Sequence, residues 1–165
     1  MKMLIGGRWM EAENGKTMAV HNPATGKFLD TVHEAASEDM ELALENAAKG
    51  QQQWAGTPMS ERRQIIRKYI HLLEKQKTEL ITLCVRECGR DIPDTVVEYN
   101  QMIACLTERL QYLEQQSEKA PGIMVITIPS DSPMEVYGDK VPAALQEGNA
   151  VIVRPSAENP LTSIR

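Results

Sequence analysis

Aromatic side chains are scarce in this sequence, with one Phe, two Trp and four Tyr. Base-stacking surfaces need more of them. No extended basic patch makes up for the shortage. The densest cluster is Arg62, Arg63, Arg67 and Lys68. It alternates with Ile65, Ile66 and Tyr69, as the solvated face of an amphipathic helix does. With a net charge of −5, nucleic acid is not an expected partner. No apolar run approaches the ~20 residues that cross a bilayer, so no membrane partner is expected either. The opening MKMLIGGRWMEAENGK lacks the apolar core and small-residue cleavage site of a signal peptide.

Cysteine is also rare. Three residues, an odd number, argue against a disulfide framework and for a reducing, cytoplasmic setting. Cys84 and Cys88 stand one helical turn apart, Cys84 on an apolar stripe, and Cys105 lies mid-helix. All three read as buried thiols. His21, His33 and His71 are scattered without metal-ligand spacing, so no metal site is expected. The glycine-rich GxGxxG and Walker phosphate loops are absent.

What is present is a globular α/β pattern. Hydrophobic residues make up 42% and charged residues 25% of the 165, the balance of one ordinary domain. Residues 1–34 are β-like and turn-rich. Met3–Trp9, Thr17–Val20 and Phe28–Val32 read as short strands of a small antiparallel layer. Residues 37–118 read as three amphipathic helices. The first is capped by Ser37, with Met40, Leu44, Ala47, Ala48 and Trp54 inward. The second is capped by Ser60 and runs unbroken to about Cys88, roughly 40 Å, before Gly89 stops it. Its apolar stripe is Ile65, Ile66, Tyr69, Leu72, Leu73, Leu80, Ile81 and Cys84. Pro93 opens the third, with Val96, Val97, Met102, Ile103, Leu106, Leu110 and Leu113 inward.

Residues 122–154 then read strand, helix, strand. GIMVITIP is a continuous β-branched run, the mark of a strand buried on both faces. Met134–Glu147 reads as a helix kinked at Pro142, and NAVIVRP as a second buried strand. The spacing predicts a parallel crossover. Ligands of open α/β sheets sit beyond the carboxyl ends of the strands. Two Pro-stiffened polar loops lie there: Pro129-Ser130-Asp131-Ser132-Pro133 and Arg154-Pro155-Ser156-Ala157-Glu158. Arg154 is placed to bind a ribose hydroxyl or a phosphate. The helix N-terminal amides near Pro133 could face an anion. Spacing alone leaves ordinary βα turns equally open.

Several of these stretches resemble one family. GGRW…NGK…VHNPATGKFLDTV, with Asn22-Pro23-Ala24-Thr25-Gly26 at its centre, resembles the opening of the NAD(P)-dependent aldehyde dehydrogenases. AAKGQQQWAGTPMSERRQIIRKYI, followed by Cys88-Gly89-Arg90, resembles their next helices. PGIMVITIPSDSPMEVYGDKVPAALQEGNAVIVRPSAENPL resembles the unit carrying PWNFP, PALAAGN and KPSE-x-x-PL. The resemblance implies the N-terminal part of a Rossmann-like cofactor domain, NAD or NADP as cofactor, and an aldehyde substrate oxidised to an acid. It implies cofactor contacts from Ile128, Pro129, Ser130, Arg154, Pro155 and Ser156, and places Asp131 where the family has its oxyanion-hole Asn.

The departures matter equally. An Asn amide donates to a developing alkoxide, whereas an ionised Asp only accepts. Arg154 replaces a ribose-contacting Lys and keeps the charge with different geometry. Ala157 stands at the Glu of KPSE, with Glu158 one place later. The segment between Tyr112 and Gly122 is too short for the family's oligomerisation hairpin. None of the three cysteines matches the nucleophile's motif. The chain is therefore expected to be inactive alone, as a truncated domain with part of the cofactor site. Two other readings stay open. One is a non-catalytic fragment that self-associates or joins a complementing chain, because two parallel strands leave unpaired edges. The other is part of a CoA-acylating enzyme, suggested by the Ser-rich IPSDSP loop.

Overall fold

The computed structural model describes residues 1–112 and 122–165. The chain begins with two separate hairpins. Strand β1 (Met3–Ile5) pairs antiparallel with β2 (Arg8–Met10), and β3 (Thr17–His21) with β4 (Phe28–His33). The expected single strand Met3–Trp9 is thus a hairpin. Its turn is Gly6-Gly7, with φ of 55° and 76°. Two positive φ values in a row make the turn whose twist matches the flanking strands. Gly6 is required for a second reason, because a Cβ there would lie 2.3 Å from Asn46 Oδ1.

Four helices follow where three were expected: α1 (Ser37–Gly56), α2 (Met59–Lys75), α3 (Lys77–Cys88) and α4 (Ile92–Tyr112). The long helix breaks at Gln76, whose φ of −95° and ψ of 9° lie outside the helical basin. Its N–H is shared between the Leu72 and Leu73 carbonyls, the tightened bonding of a helix end. Leu73 before the break and Leu80 after it both lie in one core with Ile66, Ile70, Cys84, Met102 and Leu106. Gly89, at φ 66°, is the left-handed stop of α3, as expected. The expected continuation of α4 through Leu113 to residue 118, and the shortened hairpin segment, lie outside the described residues.

The serine caps are corrected. Ser37 and Ser60 fall inside their helices, and Ala36 and Pro58 hold the cap positions. The capping group of α1 is Asp39, buried, whose carboxylate accepts the Ala36 N–H (2.8 Å) and the Glu13 N–H (3.2 Å). That bond turns α1 so that Asp39 faces inward while Met40 and Leu44 are exposed. Ile65, Leu72 and Val97 are likewise outward. Helical spacing permits them on the stripe, but Arg62, Glu98 and Tyr99 occupy the buried positions instead.

The crossover forms as the spacing predicts. Strand β5 (Ile123–Thr127), helix α5 (Pro133–Gln146) and strand β6 (Ala150–Arg154) make a parallel unit, with Ile123 opposite Ala150 and Thr127 opposite Arg154. Pro142 lies inside α5. Asn149, fully buried, closes the unit by accepting the Gly122 N–H (3.0 Å) and donating to Ala144 O (3.1 Å). Met124, Ile126, Val151 and Val153 pack under Val141 and Ala144 of α5. Burial on both faces is not observed. Ile123 is 38% and Val125 55% exposed, because α5 packs on the opposite face and α1 lies mainly against β6. Apolar composition on both faces states what a strand tolerates, not what lies over it. The indole N–H of Trp54 donates to Leu145 O (2.6 Å) and ties α1 to α5. A final turn, α6 (Leu161–Ile164), ends the chain. No helix among the described residues is long and apolar enough to cross a membrane.

Candidate functional site

The parallel register brings the two expected loops together at the carboxyl ends of β5 and β6. The Ile128 N–H donates to Arg154 O at 2.9 Å, extending the ladder one step past β5. Ile128 is buried, and Pro129, Ser130, Pro155 and Ser156 are half-buried. Asp131 and Arg154 are exposed. The Glu158 N–H donates to Ser156 Oγ (3.1 Å), a local turn that shapes the second loop. Asp131 Oδ1 accepts from Ser132 Oγ (3.3 Å).

The expected anion site at the start of α5 is filled by the protein itself. Glu98 of α4 is buried, and its Oε1 accepts the N–H groups of Met134 (2.9 Å) and Glu135 (3.2 Å). Its Oε2 pairs with Arg90 at 2.6 Å. The same guanidinium nitrogen donates to Asp131 O at 2.9 Å. A negative charge at a helix N-terminus is favourable, and here a side chain supplies it. A cleft of about 140 Å³ beside it is lined by Arg90, Asp94, Val97, Glu98, Ser132 and Glu135. That is below the ~300–1,000 Å³ of ordinary ligand pockets.

Two further residues hold the loops, and neither stands out in the sequence. Asn159, buried, donates from Nδ2 to Ser130 O (2.7 Å) and to Cys88 Sγ (2.9 Å). Glu87, buried, accepts from Thr162 N–H (2.8 Å), Thr162 Oγ1 (2.7 Å) and Leu161 N–H. It thereby fixes the segment that follows the second loop. Both partnerships span more than 70 residues, so only the fold brings these groups together.

Cys84 is fully buried and Cys88 half-buried, with their sulfurs 3.6 Å apart. The Cys84 thiol is pushed up, chiefly because it hydrogen-bonds to Cys88, and burial adds to this. Cys88 is lowered by the same bond, against desolvation, with help from Asn159.

The family model for the aldehyde dehydrogenase family matches residues 9–165. The chain belongs to the aldehyde dehydrogenase family. It is 28% identical over 183 residues to the D-glyceraldehyde dehydrogenase (NADP(+)) of Picrophilus torridus, covering 99% of this chain and 36% of that one. It is 32% identical over 181 residues to the malonate-semialdehyde dehydrogenase of Bacillus pumilus, covering 100% of this chain and 37% of that one. The chain thus spans a little over a third of these curated relatives. Among solved structures, an NAD-dependent benzaldehyde dehydrogenase from Corynebacterium glutamicum superposes with a TM-score of 0.90 at 26% identity. That match covers 98% of this chain and 39% of the other. The parallel β5-α5-β6 unit and the two hairpins are those of an aldehyde dehydrogenase N-terminal region.

Proposed function

We propose that the paired loops after β5 and β6 form one wall of an NAD(P) site in an aldehyde-oxidising enzyme. The supporting observation is the Ile128 N–H to Arg154 O bond at 2.9 Å, which joins both loops into one mouth at the strand ends. The residues fit a dinucleotide on the β6 side. Arg154 is the exposed cation there and suits a ribose hydroxyl or a phosphate. They do not fit a phosphate at the α5 amides, which Glu98 occupies. NAD(P), when bound, supplies the hydride acceptor. Ile128, Pro129 and Pro155 shape the wall, and Ser130 and Ser156 add polar groups. Asp131 gives no donor to a developing alkoxide, so these 165 residues alone turn over no aldehyde. The relatives include one named for NADP and one for NAD, so both cofactors are to be tested.

Titrating the labelled chain with NAD and with NADP should move amide resonances of Ile128, Ser130, Asp131, Ser132, Arg154, Ser156, Ala157 and Glu158. The expected Kd is on the order of 1 mM or weaker. Arg154→Ala should weaken binding by roughly fivefold, the value of about 1 kcal/mol. Resonance changes on another face would overturn this reading, and robust aldehyde turnover would overturn only the inactivity of the chain alone.

A second reading concerns association, and it rests on the uncovered side of β5 that carries Ile123 and Val125. We propose that a second copy of this chain covers that face. Light scattering at rising concentration should show twice the monomer mass, and Val125→Lys should restore the monomer. A monomer at every concentration would remove this reading.

A further inference from the structure

The Cys84–Cys88 pair takes no part in the loops proposed above, yet it is built with more care than two buried thiols need. Cys88 is the last residue of α3, directly before the left-handed Gly89. Its sulfur is contacted from two sides, by the Cys84 sulfur at 3.6 Å and by Asn159 Nδ2, which donates to it, at 2.9 Å. The Oδ1 of that same Asn159 amide is buried and has no hydrogen-bond partner among the described residues. A free acceptor therefore sits on the amide that already touches the sulfur. Cys84 is fully enclosed, whereas Cys88 is partly open to solvent. Residues four apart on a helix have Cα atoms about 6.2 Å apart, from the rise and radius. The Cα span suits a disulfide, but Cβ atoms four apart on a regular helix stand about 5–6 Å apart, against the ~3.5–4.5 Å a disulfide needs, so the bond requires Cys88, at the helix end, to turn inward.

We propose that Cys88 is a peroxide-oxidisable thiol and that Cys84 resolves it to an intrahelical disulfide. In the first step the Cys88 thiolate attacks one oxygen of hydrogen peroxide. An S–O bond forms, the O–O bond breaks, and hydroxide leaves. The sulfur is oxidised to a sulfenic acid and the peroxide is reduced. The Asn159 Oδ1 is the acceptor available for the O–H of the sulfenic acid. In the second step the Cys84 sulfur attacks the Cys88 sulfur. An S–S bond forms, the S–O bond breaks, and the hydroxyl leaves with the Cys84 proton as water. A dithiol reductant reverses the change. The lowered Cys88 thiol and the raised Cys84 thiol suit these roles of attacking and resolving sulfur. Oxidation would also remove Cys88 as an acceptor for Asn159, which holds Ser130 O.

Tryptic mapping tests this directly, because Arg86 lies between the two cysteines. The full chain is treated with hydrogen peroxide, its remaining thiols are alkylated, and it is digested. The expected product is a disulfide joining the Thr78–Arg86 and Glu87–Arg90 peptides, with Cys105 still alkylated. At neutral pH, Cys88 should alkylate faster than Cys105. In Cys84→Ala the sulfenic acid should persist and be captured by dimedone at Cys88. Oxidation of Cys105 before Cys88, or no linked peptide pair, would overturn the proposal. The wild-type map decides alone if the variant does not fold.

Discussion

Glu98→Ala is expected to lower the stability of the chain by about 3–5 kcal/mol, the usual cost of removing one member of a buried ion pair. The carboxylate is 3% exposed and does three jobs at once. It pairs with Arg90 at 2.6 Å and accepts the Met134 and Glu135 amides at 2.9 and 3.2 Å. Removing it strands a partly enclosed guanidinium and two helix-terminal N–H groups in a space that water reaches poorly. Arg90 also holds Asp131 O, so the loop 129–132 should loosen together with the first turn of α5. Glu98→Gln keeps one acceptor and loses the charge, and it should cost about half as much. Denaturant unfolding checks both through the midpoint at constant slope. Hydrogen exchange at Met134 and Glu135 should rise in the same order, Ala above Gln above wild type. A loss below about 1 kcal/mol for Glu98→Ala would mean that these contacts are not made in solution.

That network shows where sequence reading ends. The parallel register, the loops at the strand ends and the Gly89 stop are local or nearly so, and apolar runs, turn residues and spacing carry them. Gly6-Gly7 was equally local, since consecutive glycines permit two positive φ values; a run of apolar neighbours simply hid the turn. The break at Gln76 has no such signal. Gln is a good helix former, and no turn residue marks position 76, where the backbone leaves the helical basin. Glu98 lies 36 residues from Met134, and Asn159 lies 71 from Cys88. Their chemistry is that of ordinary polar residues until the fold supplies the partner. The open face of β5 is of the same kind, because exposure depends on what packs there and not on the strand's own residues.

Glu87→Gln should destabilise the chain by about 2 kcal/mol, with a pH dependence that reports the buried carboxyl itself. Glu87 is 2% exposed and its acceptors meet three donors, the N–H groups of Leu161 and Thr162 and the Thr162 hydroxyl. A Gln amide turns two of its hydrogens toward donors, so at least one contact becomes repulsive. Burial raises the Glu87 carboxyl above its ordinary value, although the three hydrogen bonds pull it down. The folded chain therefore holds this proton more tightly than the unfolded chain does. The stability contributed by that proton is fully present below the ordinary glutamate range of about 4.3 and is lost as pH rises through the folded value. The difference in unfolding free energy between wild type and Glu87→Gln should thus be largest in acid and should narrow just above that range. Effects of other carboxyls cancel in the difference. A gap that widened with rising pH would mean that hydrogen bonding outweighs burial at Glu87, with the carboxyl lowered rather than raised. Thr162→Val, which removes only the hydroxyl donor, should shift the window upward, because a bond that favours the anion is lost.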